Sequence, residues 1–196
     1  MARPIVALCR AQVRPEGVKS LLFESSRQRG GPGLTIELAA PERDVVVMLG
    51  DGSYLMANSE IATAVAMGVN LTIVLLDNRG FGCINRLQQA CGGAPFNTLR
   101  AAPRELVPPE LDFAAHAASL GATARKVAGI PELEAALARR SPGVTVFVIE
   151  TDPTLATERG GAWWDVAVPA VSERSEVAAA RIIYEQHLAE RSGGPR

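Results

Sequence analysis

Two continuous apolar runs dominate the middle of the chain. Val45–Leu49 (VVVML) and Leu71–Leu76 (LTIVLL) lack polar alternation and are rich in β-branched residues, so both are predicted as strands buried on both faces. Between them, Ser53–Met67 sets Leu55, Met56, Ile61 and Val65 among small alanines, a helical pattern for which Gly68 supplies the stop. The tight loop NRGFG (Asn78–Gly82) follows the second run, and a helix begins over Ile84–Gln89. Further along, Asp112 is placed to cap a helix through Leu120, which Gly121 closes. Ala122–Val127 is a short strand, Pro131–Arg139 a helix, and Val144–Glu150 (VTVFVIE) a fourth strand. A last amphipathic helix spans roughly Glu173–Glu190. Apolar strands alternating with helices imply the α/β class, a three-layer, doubly wound, mainly parallel sheet with helices on both faces.

Two stretches depart from this rhythm. Residues 1–33 carry six basic residues (Arg3, Arg10, Arg14, Lys19, Arg27, Arg29) against Glu16 and Glu24, and end in GGPG. They are read as an N-terminal arm with one short helix around Val18–Arg27 and no strand, leaving residues 34–196 as one domain. Cys91–Pro109 contains four prolines and is a surface excursion of the kind that forms functional lids or stays without structure.

Composition excludes more than it identifies. A formal charge of −1 offers no field to gather nucleic acid or an anionic membrane. No apolar stretch reaches the roughly 20 residues needed to cross a bilayer, and MARPIVALCR has too short an apolar core for a signal peptide. Three cysteines (Cys9, Cys83, Cys91) form no CxxC pair, so the expectation is a reducing, cytoplasmic location.

The chemistry lies at the ends of the two apolar runs. GDG (Gly50–Gly52) ends the first and Asn78 the second, with residues 53–77, twenty-five in all, between them. Ligands of open parallel sheets bind beyond the carboxyl ends of the strands. If the strands are neighbours, about 4.8 Å apart, Asp51 and Asn78 converge. The glycines flanking Asp51 allow a sharp turn and close approach to a ligand, and a helix starting near Ser53 would turn free N–H groups toward a phosphate. Asp51 alone would repel that phosphate by about 4 kcal/mol at roughly 4 Å and an effective dielectric near 20. A cation between them reverses the sign. Oxygen donors select magnesium or a similar hard ion, with the Gly80 carbonyl as a third protein oxygen. The plainer alternative is an Asp in a turn and an Asn capping a loop.

This pairing resembles the signature of thiamine-diphosphate-dependent enzymes, GDG followed some 25 residues later by Asn. The resemblance implies their cofactor-binding fold, with thiamine diphosphate and Mg2+ as cofactors. It makes Asp51, Asn78 and the Gly80 carbonyl the magnesium ligands, sets Gly50, Gly52, Ser53 and Tyr54 along the diphosphate, and closes Phe81 and Gly82 over it. DFAAHAASLGATARKV (Asp112–Val127) is similar to the helix–strand unit that follows in the family. GDGSYLMANSEI, LLDNRGFGCINRLQ and the paired Trp163–Trp164 before DVAVPAVSE resemble the trihydroxycyclohexanedione hydrolases of inositol catabolism, which cleave a ring C–C bond by hydrolysis. The likeness runs from about Ala39 to Arg191 and corresponds only to the C-terminal domain of such enzymes. Their activating glutamate belongs to a pyrimidine-binding domain, so the chain is expected to be inactive alone and to act as an oligomer or with a partner chain bearing that domain. Glu60, on the helix after GDG, is not taken as its replacement. No catalytic residue is assigned.

Other residues carry less. His116 lies among alanines as a packed or surface histidine, His187 on the terminal helix is solvated, Cys83 after the NRGFG loop either lines the site or is a small hydrophobe, and Arg79 either reaches phosphate or faces solvent. Two other readings keep the fold: an acetolactate-synthase-like lyase, or a non-catalytic cofactor-binding module. A nicotinamide-binding domain is disfavoured, because GDGS lacks GxGxxG spacing and presents an acid where pyrophosphate would lie.

Overall fold

The computed structural model describes residues 20–23, 44–100, 109–139, 141–153 and 165–193. Five strands, β1 (Ser20–Phe23), β2 (Val45–Gly50), β3 (Leu71–Asp77), β4 (Thr123–Val127) and β5 (Val144–Glu150), form one sheet. Its order is β1-β2-β3-β5-β4, and every neighbouring pair is parallel. Helices α1 (Asp51–Ala57), α2 (Ser59–Ala66), α4 (Phe113–Ser119) and α5 (Ile130–Ala138) fall in the same compact unit as the sheet, and α3 (Gly82–Ala90) and α6 (Ser175–Gly193) fall in a second.

The apolar runs make this sheet because both of their faces are covered. Val45, Val47 and Leu49 of β2 join Leu71, Ile73 and Leu75 of β3 and Val144, Val146 and Val148 of β5 in one cluster with Tyr54, Ile61, Ala64, Phe113 and Ala117. The alternate residues Val46, Met48, Val74, Phe147 and Ile149 pack on the other side against Leu133, Ala136 and Leu137 of α5. Period-two alternation therefore sends every second residue to a different core layer. Each fully buried Val, Leu or Ile contributes about 1.5–3 kcal/mol of transfer free energy. The expected three-layer, doubly wound parallel fold is the observed one.

The chain divides into two compact units: residues 1–80 with 109–155, and residues 81–108 with 156–196, as far as they are described. The first holds the sheet. In the second, α3 runs into Cys91–Gly93, and the Gly92 carbonyl accepts from Arg174 Nε at 3.0 Å just before α6. Gly92 has φ +79, and a Cβ there would lie 2.3 Å from the Glu176 carbonyl oxygen, so only glycine fits this approach.

Local expectations need three corrections. The helix expected around Val18–Arg27 is instead strand β1 over Ser20–Phe23, paired in register with Val45–Met48. An edge strand takes its hydrogen bonds from its neighbour, which four residues of local sequence do not announce. Val144–Glu150 is therefore the fifth strand, not the fourth. The single helix expected over Ser53–Met67 begins two residues earlier and breaks at Asn58. There the side chain turns back to the Leu55 carbonyl at 3.4 Å, and the backbone switches to an i−3 bond, Ile61 N to Asn58 O at 3.1 Å. The other stops hold: Gly68 (φ +66) follows α2, Asp112 accepts from Ala114 N and Ala115 N at 3.0 Å each, and Gly121 (φ +92) follows α4. The rest of the N-terminal arm, most of Ala101–Pro109 and Trp163–Trp164 lie outside the described residues. Among the described residues no helix is long and apolar enough to cross a membrane.

Candidate functional site

Residues Gly50 of β2 and Leu76 of β3 are register partners at the carboxyl ends of adjacent strands. Asp51 follows the first directly, and Asn78 follows β3 after Asp77, so the neighbour relation that the chemistry requires is present.

Asp51 is the first residue of α1, with Gly50 extended at φ −78, ψ 160 ahead of it. Its side chain is completely buried. A carboxylate there demands compensation, because burying an unpaired charge is far more costly than burying an amide. One compensating group is the Gly80 N–H, which donates to Asp51 Oδ2 at 2.7 Å. The second is Asn78. With its amide nitrogen turned inward, Asn78 donates to Asp51 Oδ1 at 3.0 Å and to the Gly80 carbonyl at 2.7 Å. With the amide reversed, three oxygens meet instead: Asp51 Oδ1, Asn78 Oδ1 and Gly80 O.

The turn that brings Gly80 back is built by two consecutive residues of positive φ, Arg79 at 63° and Gly80 at 144°. Glycine takes this conformation freely, whereas a residue with a Cβ resists it by roughly 1–2 kcal/mol. Asp77 offsets that strain: it is buried, and its Oδ1 accepts from Arg79 N at 2.9 Å. Its carbonyl also accepts from Thr151 N at 2.8 Å, anchoring the end of β3 to the residue after β5. Asp77 is the residue that motif reading passed over. Its signal was an acid two residues ahead of a position needing a turn, the Asx-turn pattern.

The remaining expected residues divide. Gly52 is buried and Ser53 half-buried in the first turn of α1, where backbone N–H groups have no acceptor within the helix. Tyr54 points its ring inward, 2% exposed, edge-on to Phe113 at 5.5 Å, with its hydroxyl 2.7 Å from His116 Nδ1. Burial pushes the Tyr54 phenol up to about 12. Its backbone N–H is therefore the part of Tyr54 left for a ligand at the strand ends. Arg79 turns outward to Glu150 at 3.4 Å, and both side chains are about half exposed. Glu60 is half-buried on α2 beside a small apolar cavity lined by Tyr54 and Ile61. In the second unit, Phe81 N donates to the Thr98 carbonyl at 2.7 Å, and buried Asn85 accepts from Thr98 Oγ1 at 2.8 Å, which fixes the start of α3 at Gly82. Among the described residues no three His, Cys, Asp or Glu side chains cluster to hold a metal. What Asp51, Asn78 and Gly80 offer is one carboxylate, one amide and one carbonyl, an oxygen set suited to a hard cation.

Comparison with known proteins identifies the family. Residues 30–151 match the family described as thiamine pyrophosphate enzyme, C-terminal TPP binding domain. The chain is similar to 3D-(3,5/4)-trihydroxycyclohexane-1,2-dione hydrolase of Bacillus licheniformis, 37% identical over 79% of this chain and 24% of that protein. The hydrolase of the same name from Halalkalibacterium halodurans is 35% identical over 79% of this chain and 25% of its own length. The chain thus spans about a quarter of the length of the curated relatives it matches. Among solved structures, benzoylformate decarboxylase from Polynucleobacter necessarius superposes with a TM-score of 0.54 at 26% identity, covering 64% of this chain and 23% of that one.

Proposed function

Because the chain belongs to the thiamine pyrophosphate enzymes through their C-terminal cofactor-binding domain, we propose that Asp51, Asn78 and the Gly80 carbonyl hold a magnesium ion against the diphosphate of thiamine diphosphate. The observation that carries this reading is the completely buried Asp51 carboxylate, set beside the Asn78 amide and the Gly80 carbonyl at the ends of adjacent strands. The residues fit the ion. A buried carboxylate facing an anionic ligand is repulsive without a cation between them, and the other two oxygens are neutral, so one divalent ion is not over-neutralised.

When bound, the cofactor supplies a carbanion nucleophile for cleaving bonds next to a carbonyl. The chain's own residues bind and orient. Asp51 and Asn78 fix the cation. Gly50 and Gly52, without side chains, leave room for backbone to approach the diphosphate, while Ser53 and Tyr54 offer N–H groups from the first turn of α1. No residue here is given a proton-transfer role. The glutamate that activates the cofactor in this family is expected on a pyrimidine-binding domain, supplied by a partner chain.

The substrate class rests on the relatives. At 35–37% identity to two trihydroxycyclohexanedione hydrolases, the favoured reaction is hydrolytic C–C cleavage of a cyclic trihydroxy dione in inositol catabolism, in the cytoplasm and as an oligomer, with the isolated chain inactive. Calorimetric titration of thiamine diphosphate into the chain, with and without magnesium and beside Asp51→Ala, tests the binding half. Heat that requires magnesium and vanishes in the variant supports it; none at millimolar ligand counts against it. Turnover of the dione by the chain alone would overturn the expectation of inactivity.

A further inference from the structure

A second, larger cavity lies toward the other end of the sheet. It holds about 280 Å3 between α5 and the two strands at that edge, β4 and β5. Thr123 of β4 and Thr145 of β5 are register partners near the amino ends of their strands, and both line it. On its other side Thr145 pairs with Thr72 of β3, five positions before Asp77. At about 3.3 Å per residue, the cavity stands roughly 16 Å along the strands from the turn that carries Asn78. Arg125 of β4 is held there on two sides. Its Nη1 donates to Glu132 Oε1 of α5 at 2.6 Å, and its guanidinium carbon stands 5.3 Å from the centre of the Phe147 ring. The other Glu132 oxygen accepts from Ala128 N at 2.8 Å, so the carboxylate is itself fixed. Arg139, at the end of α5, lines the same space. Two guanidinium groups against one carboxylate leave the lining net positive.

Thr145 is the telling residue of this lining. It interrupts VTVFVIE, a run otherwise apolar until Glu150, at a position where valine would supply the same β-branched shape. The hydroxyl is nevertheless present, on a residue 5% exposed, and its Oγ1 has no hydrogen-bond partner among the described residues. A buried hydroxyl left unpaired is costly, and a ligand oxygen reaching it from the cavity removes that cost. We propose that this cavity is a binding site for a small oxyanion, a phosphate or carboxylate on a molecule of a few carbons, separate from the cofactor site. Arg125 and Arg139 take the anionic oxygens, since the planar guanidinium of Arg125 carries further N–H donors beyond the one given to Glu132. The hydroxyls of Thr123, Ser141 and Thr145, each able to donate or accept, take the remaining oxygens. The volume falls just short of the roughly 300–1,000 Å3 of drug-sized sites, which leaves out a nucleotide.

On the full chain, 15N–1H NMR with inorganic phosphate and, separately, glycerate tests the site, with chloride at matched ionic strength as the control for screening. The backbone amides of Thr123, Arg125 and Thr145 and the Arg125 Nε–H should shift and saturate at millimolar phosphate or glycerate and stay unmoved in chloride. Whichever anion binds more tightly identifies the head group. Arg139→Gln should weaken that binding about tenfold through loss of one charge-assisted contact. Thr145→Val keeps the shape of the strand and should unfold no earlier than wild type, yet bind the anion several-fold more weakly. The proposal is overturned if neither anion gives a saturable shift, if chloride reproduces it, or if either variant binds as tightly as wild type. Unchanged binding in Thr145→Val would mean that surface arginines attract the anion without the cavity.

Discussion

Asp51→Asn isolates charge from shape at the buried position on which the site depends. In the metal-free protein the new amide oxygen still accepts from Gly80 N–H, now as a neutral hydrogen bond, while the new NH2 faces Asn78, whose amide has to turn its oxygen toward it and release the Gly80 carbonyl; together these cost about 1–2 kcal/mol. Against that, the variant no longer buries a carboxylate at a site with no solvent exposure, a gain of opposite sign. The two offset, and metal-free stability should change by no more than about 1 kcal/mol in either direction. The loaded protein differs sharply. At an effective dielectric near 20 and roughly 4 Å, a carboxylate and a dication attract by about 8 kcal/mol, twice the unit-charge figure. Losing even a third of that removes about two orders of magnitude in affinity. Wild type at a hundred times its dissociation constant gains about 2.7 kcal/mol from ligand, which is roughly 5–11 °C in Tm for a chain of this size. The assay is thermal unfolding by circular dichroism of both proteins, with magnesium and thiamine diphosphate added separately and together. The expected pattern is near-equal Tm without ligand and a rise on joint addition in wild type alone. Equal ligand-induced rises in the two proteins, or a wild-type rise that needs no divalent ion, would refute the reasoning.

The core offers two further tests. Tyr54 is buried, with its phenol pushed up to about 12, so the folded state tolerates only the neutral form. Its contribution is complete below the unfolded value of 10 and is lost as pH rises from about 10 to about 12, up to roughly 3 kcal/mol in all. Tyr54→Phe should cost about 1 kcal/mol near neutrality through the lost His116 contact, yet unfold less steeply with alkali; identical alkaline curves for both proteins would show that another group controls that limb. Thr145 is 5% exposed, and its Oγ1 is buried without a hydrogen-bond partner among the described residues. Thr145→Val keeps the β-branched shape and removes an orphaned hydroxyl, so chemical denaturation should show a gain of about 1 kcal/mol at unchanged m-value. A loss would mean the hydroxyl is satisfied by solvent inside the protein.

How much of this was legible beforehand varies by residue. Val45–Leu49 and Leu71–Leu76 declared themselves as doubly buried strands because composition alone separates such runs from half-exposed ones, and Gly68, Asp112 and Gly121 marked their helix ends through local backbone chemistry. The pairing of GDG with Asn78 was legible as a motif for the same reason: both ends are defined by the residues next to them. Three features were not. Ser20–Phe23 becomes a strand only by pairing with Val45–Met48, a partner more than twenty residues away. The insertion of β5 between β3 and β4 follows from which apolar faces can be covered together, which no single window of sequence contains. The Gly80 N–H bond to the Asp51 carboxylate depends on two residues of positive φ carrying that N–H back across 29 positions of chain. Local sequence sets what each segment can be, because dihedral preference and periodicity act within a few residues. Which segments meet, and which carboxylate ends fully buried with its charge answered by a turning amide, is decided by non-local packing that exists only once the sheet has closed.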